Sequence, residues 1–143
     1  MPEQLIHPRR TARRAPAPPP EFRCTLRDGG LDGAWVRVTG ELDIATVPQL
    51  KRLLGDAEGR ARRVVLDLRE LSFMDTSGVH VIVDASDRAT SAGRRMVLVR
   101  GPSQVDRLLA LTGARARLEI VDLNPAEPPV QALVQLAQRE RAA

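Results

Sequence analysis

The chain has 143 residues, 43% apolar and 28% charged, which suits one globular domain with its own core and is too short for two. No apolar run approaches the roughly 20 residues needed to cross a bilayer, and a single cysteine, Cys24, excludes both a disulfide framework and a cysteine-rich metal site. The net charge is +4, but four arginines against Glu3 concentrate +3 of it in residues 1–20; residues 21–143 carry only +1, and the chain's three aromatic residues are too few for a base-stacking nucleic-acid platform.

Residues 1–20 combine arginine pairs with proline and show no apolar periodicity, so a disordered tail is expected there. Arg9-Arg10 and Arg13-Arg14 resemble export signals, yet only an Ala-Pro stretch follows them; no membrane insertion and a cytoplasmic location are expected. Phe22 to Arg27 alternates apolar and polar residues, a first strand with Cys24 packed inward between Phe22 and Leu26. Asp28 to Gly33 is a turn cluster, and Ala34 to Thr39 alternates again, so the two runs form an antiparallel hairpin.

Gly40-Glu41-Leu42-Asp43 leaves the second strand. Thr46 opens a helix, with Gln49 at capping-box spacing and Pro48 in the first turn, where a missing N–H costs least. Its buried face is Val47, Leu50, Leu54 and Ala57, and the helix fades around Gly55–Gly59. Val64 to Leu68 is a short apolar run that reads as a buried central strand, continued by Arg69 to Met74. After Asp75-Thr76-Ser77-Gly78 the period changes. Val79, Ile82, Val83 and Ala89 share one helical face and His80, Asp84, Asp87, Arg88 and Ser91 the other, up to a stop at Gly93.

Met96 to Val99 is another wholly apolar strand. Ser103 and Asp106 open a third helix, with Val105, Leu108 and Leu109 inward and Gly113 ending it. Arg117 to Val121 is a last strand, and Val130, Leu133, Val134 and Ala137 mark a possible terminal helix between Pro128 and Arg139. Strands that alternate with helices imply parallel crossovers. The fold class is therefore α/β: a single domain whose mixed β-sheet has parallel inner strands with helices packed against it.

The junction Asp75-Thr76-Ser77-Gly78 is where a strand gives way to a helix, at the sheet's carboxyl edge and beside backbone N–H groups that lack intrahelical partners. Asp75 or Thr76 can cap that helix. The same hydroxyls can also serve regulation, and the two roles coexist. Two carboxylates beside a hydroxyl, with no histidine base, metal motif, Walker loop or dinucleotide glycine pattern, make a poor enzyme; no catalytic residue, metal or cofactor is expected.

Four motifs in order resemble the STAS domain of bacterial anti-sigma-factor antagonists. They are Gly40-Glu41-Leu42-Asp43; Val64 to Leu68; Phe73-Met74-Asp75-Thr76-Ser77-Gly78; and Gly101-Pro102-Ser103 with Leu108-Leu109 and Thr112-Gly113. The resemblance runs from about Phe22 to Asn124, and the domain is taken as residues 21–124 with a C-terminal extension over 125–143. It implies that Thr76, with Ser77 as the alternative, is phosphorylated by an anti-sigma factor that is also a serine kinase. The implied protein is no enzyme. Unphosphorylated, it binds that partner through Asp43, Asp75, Thr76, Ser77, Gly78 and His80, and so controls sigma-factor-dependent transcription; a phosphatase is a further candidate partner. Three features depart from the family pattern: threonine at the acceptor, His80 where small or apolar residues are usual, and the two terminal extensions. Threonine at that position also fits the alternative, a STAS adaptor subunit of a lipid-type ABC transporter.

Overall fold

The computed structural model describes residues 21–142; the tail expected over residues 1–20 lies outside them. The chain folds in the order β1 (Arg23–Gly30), β2 (Gly33–Leu42), α1 (Val47–Arg60), β3 (Arg63–Met74), α2 (Thr76–Ser91), β4 (Arg95–Val99), α3 (Ser103–Leu111), a 3-10 turn (Ala114–Arg117), β5 (Ile120–Val121) and α4 (Val130–Ala142). The strands form one sheet in the order β1-β2-β3-β4-β5, antiparallel between β1 and β2 and parallel thereafter. This is the mixed α/β sheet that the alternation of strands and helices implies.

Strand periodicity divides the core in two. Val36, Val38, Leu66 and Leu98 face α1, α2 and α3, where they meet Leu50, Leu54, Ile82 and Leu109. Trp35, Val65, Val97, Val99 and Val121 face the other way, onto Ala132, Leu133 and Leu136 of α4. The central strands are thus apolar on both faces, which is why they lack alternation. Cys24 is half-buried against the α1 side, and burial pushes its thiol above the usual range despite Arg52.

Several local expectations change. The hairpin turn is not the whole glycine cluster: β1 runs to Gly30, and beyond it the two tip residues Leu31 (φ 55°) and Asp32 (φ 51°) are themselves in the left-handed region. That geometry twists a two-residue loop to match its strands, though it ordinarily selects asparagine or glycine. The Arg63 guanidinium donates to the Leu31 carbonyl and supports it. Gly29 and Gly33 serve packing instead, because a Cβ at either would stand 2.4 or 2.5 Å from a Leu133 methyl of α4.

Helix α1 runs through Gly55 and Gly59 to Arg60. The last strand shrinks to Ile120–Val121, because Gly113 (φ 79°) leads into a 3-10 turn that consumes Arg117. In α4 the inward face includes Leu136, while Val134 is half-buried.

β3 carries extra residues relative to β2: Arg37 pairs with Asp67, but Thr39 pairs with Glu70. This bulge brings both Asp67 and Glu70 to the Arg37 guanidinium, at 3.7 and 3.5 Å from its Nε. At the opposite, amino edge of the sheet, Glu140 of α4 accepts from Arg62, Arg63 and Arg95 at 2.7–3.2 Å. Those hydrogen bonds hold its carboxyl far below the usual carboxylate range. No helix among the described residues is long and apolar enough to cross a membrane.

Candidate functional site

β3 delivers the chain to the carboxyl edge, and Asp75 stops it there. Asp75 is extended (φ −104°, ψ −175°), and its Oδ1 accepts from the Ser77 N–H at 2.8 Å and more weakly from the Gly78 N–H at 3.4 Å. Asp75 is therefore the cap, and Thr76 is the first helical residue. Thr76 is exposed, and its hydroxyl makes no hydrogen bond among the described residues. Ser77 is half-buried, with its amide committed to Asp75.

Gly78 is buried for a steric reason. A Cβ there would lie 2.6 Å from Met74 Cγ and 2.9 Å from Leu42 Cδ2. The start of α2 is thus pressed against the ends of β2 and β3, and the Asp75 N–H donates to the Leu42 carbonyl at 3.1 Å.

That bond sets Asp75 beside the loop that carries Asp43. Asp43 Oδ1 accepts from the amides of Ala45 (3.0 Å) and Thr46 (3.1 Å). The Thr46 hydroxyl accepts from the Asp43 amide at 2.9 Å and donates to the Glu41 carbonyl at 2.8 Å. The expected Thr46–Gln49 capping box is absent because that hydroxyl is turned back into its own loop; no side chain from Thr46 caps α1. Asp43 is a loop-shaping carboxylate, half-buried, with one oxygen engaged by its neighbours.

His80 is exposed one turn beyond Thr76. The two line a groove of about 290 Å³ between α2 and the α3–3-10 segment, floored by Val79, Val83 and Ala114 and closed by Arg117. Arg117 is held by Asp87 at 2.7 Å. Asp43, Asp75, Thr76, Ser77 and Gly78 therefore share one edge, with His80 entering the adjoining groove.

Sequence reasoning overlooked the apolar residues left on the surface around this edge. Ile44, next to Asp43, is 77% exposed, and Leu111 of α3 is 74% exposed. Phe73, two residues before Asp75, is 45% exposed and shares a hollow of about 200 Å³ with Met74, Leu108 and Leu111. The alternation of Phe73 with buried Met74 was the available signal for an outward phenylalanine. Among the described residues no group of three His, Cys, Asp or Glu side chains is placed to hold a metal.

A STAS domain model matches residues 26–126. The chain belongs to the STAS domain family. Among curated relatives, an anti-sigma-B factor antagonist of Staphylococcus aureus is 26% identical over 86 residues, covering 59% of this chain and 80% of the relative. Among solved STAS structures, the anti-sigma factor antagonist SpoIIAA in its unphosphorylated form superposes with a TM-score of 0.65 at 20% identity, over 85% of this chain and 98% of that one. SLC26A9 also contains the fold, with a TM-score of 0.62 at 16% identity over 76% of this chain and 20% of its own. Likeness at these identities establishes the fold, and the fold alone serves more than one function.

Proposed function

We propose that this STAS domain is an anti-sigma-factor antagonist controlled by phosphorylation at Thr76. In its unmodified state it binds an anti-sigma factor that is also a serine kinase, and so frees a sigma factor for transcription. The kinase then charges Thr76 and lets go, and a phosphatase resets the cycle. The observation that carries this reading is the Thr76 hydroxyl, exposed and unengaged at the mouth of α2 while Asp75 does the capping. The names borne by the Staphylococcus relative and by SpoIIAA support it, as does a SpoIIAA structure in the phosphorylated form.

The switch is electrostatic. Phosphate at a helix N-terminus meets a favourable half-charge, about 0.3–1 kcal/mol, so α2 is not expected to unravel. The surface changes instead: phosphorylation adds about −1.5 to −2 charges beside Asp75. A partner carboxylate about 5 Å away is then repelled by about 3 kcal/mol per charge pair at an effective dielectric of about 20, a loss of about a hundredfold in affinity. Asp43, Ser77 and His80 complete the partner-binding edge, buried Gly78 seats α2 beneath it, and exposed Ile44 and Phe73 extend it as apolar contacts.

The test is capture of partners from native lysate in the presence of ATP, followed by phosphosite mapping. Recovery of a kinase-fold protein with phosphate on Thr76 is the expected result. Recovery of a permease and its ATPase, with Thr76 unmodified, contradicts it and favours the transporter-adaptor reading.

A further inference from the structure

His80 departs from the family pattern, and beyond a place on the partner-binding edge the switch gives its charge no role. Its imidazole is exposed on α2 and makes no hydrogen bond or ion pair among the described residues. It shares the groove of about 290 Å³ with Thr76, four residues earlier on the same helix. Side chains at i and i+4 stand about 5–6 Å apart at their Cβ atoms on one helix face. A phosphate on the Thr76 oxygen therefore lies within reach of the ring.

The other charged groups around the groove are committed or less well placed. Arg117 faces it from the 3-10 turn but is held by Asp87 at 2.7 Å. Asp75, just before Thr76, spends Oδ1 on the amides of Ser77 and Gly78. Asp84 lies one turn beyond His80 on α2 and also lines the groove. It competes for an imidazolium in the weaker order, because the helix dipole favours an anion on the N-terminal side of its cation and Asp84 stands on the C-terminal side. Its single charge is also smaller than the roughly −1.5 to −2 of a phosphate.

We infer that His80 is the cation that receives phosphate on Thr76, forming an imidazolium–phosphate pair along the first turns of α2. This rests on Thr76 being the modified residue. The pair makes the switch graded by pH. An imidazole ordinarily titrates near pH ~6.5 and the second ionisation of phosphothreonine falls near ~6. The two groups thus change charge over one narrow range, and each favours the ionised form of the other. Within that range the imidazolium offsets part of the added negative charge. Above it His80 is neutral and the dianion stands uncompensated, so phosphorylation repels a partner carboxylate more strongly at alkaline pH.

The test is a pH titration of the full chain with phosphothreonine genetically encoded at position 76, which needs no kinase, followed through the imidazole 1H–13C signals and through 31P. The chain has two histidines, and the His80 signal is the one lost in His80→Gln. The expected result is a His80 midpoint about half a pH unit or more above that of the unmodified chain, with a smaller rise in Thr76→Glu. The phosphate midpoint should move up when His80→Gln removes the cation. Substitution at this exposed position leaves α2 intact, which amide spectra check. A His80 midpoint unchanged by the phosphate, or a phosphate midpoint indifferent to His80→Gln, overturns the pair. Either result leaves the switch itself standing, since that reading is decided by partner capture and phosphosite mapping.

Discussion

The amide of Asp75 donates to the carbonyl of Leu42 at 3.1 Å. This bond crosses from the end of β3 to the end of β2, and it places two helix mouths side by side, each with its own aspartate receiving backbone amides. Thr76 emerges at that seam.

Asp75→Ala should remove both amide acceptors at the start of α2 and cost about 1 kcal/mol, within the usual range of about 0.5–2 for a lost cap. Asp75→Asn keeps an acceptor and should cost only a few tenths. Urea unfolding of the two variants separates these outcomes. An equal loss for asparagine and alanine would assign the stabilisation to the carboxylate's charge instead of its capping bonds.

Gly78→Ala opposes two effects. Alanine gains about 1 kcal/mol in helix propensity, but its Cβ would lie 2.6 Å from Met74 and 2.9 Å from Leu42. Overpacking of this kind costs about 1–3 kcal/mol, so net destabilisation is expected, read as a lower melting temperature. A melting temperature above the wild type would mean that α2 can lift away from the strands freely.

Leu133→Ala should cost about 2–5 kcal/mol, because Leu133 is fully buried beneath the hairpin glycines and among the strand valines. Denaturant unfolding measures it. A loss below about 1 kcal/mol would mean that α4 contributes little to the sheet it covers.

Glu140 makes stability depend on pH. Its carboxyl is held well below its usual value of 4.5, chiefly by hydrogen bonds from Arg63 and Arg62. The folded state therefore binds fewer protons than the unfolded one, so the contribution is full above pH 4.5 and is lost as the pH falls further. Glu140→Gln should destabilise by about 1–2 kcal/mol near neutrality, a figure reduced for partial solvent screening, and the difference from wild type should shrink on acidification. Unfolding curves at several pH values check the sign, and a difference that grows toward acid contradicts it.

Much of this fold could be read from periodicity. Val79, Ile82, Val83 and Ala89 lie on the buried face of α2 as their spacing requires, and the unbroken apolar runs of β3 and β4 are covered on both sides. What periodicity could not carry was set by tertiary contact. The Thr46 hydroxyl bonds backward to Asp43 and Glu41, where local spacing suggested a forward cap. Gly29 and Gly33 are there for Leu133, about a hundred residues away in sequence, and the turn itself falls on Leu31 and Asp32. The inward face of α4 includes Leu136 because its phase is set by Val65, Val97 and Val121 beneath it. At the site, the motif singled out Thr76 and its neighbours, whereas the exposure of Ile44 and Leu111 became visible only in three dimensions.

Control of a partner's grip by the Thr76 hydroxyl is measured most directly by the affinity of the captured kinase for three forms of the chain. Thr76→Ala should bind within about threefold of wild type, since it changes neither charge nor cap, and Thr76→Glu should bind more weakly, toward the roughly hundredfold loss expected of a phosphate. Equal affinity for wild type, Thr76→Ala and Thr76→Glu would contradict the account.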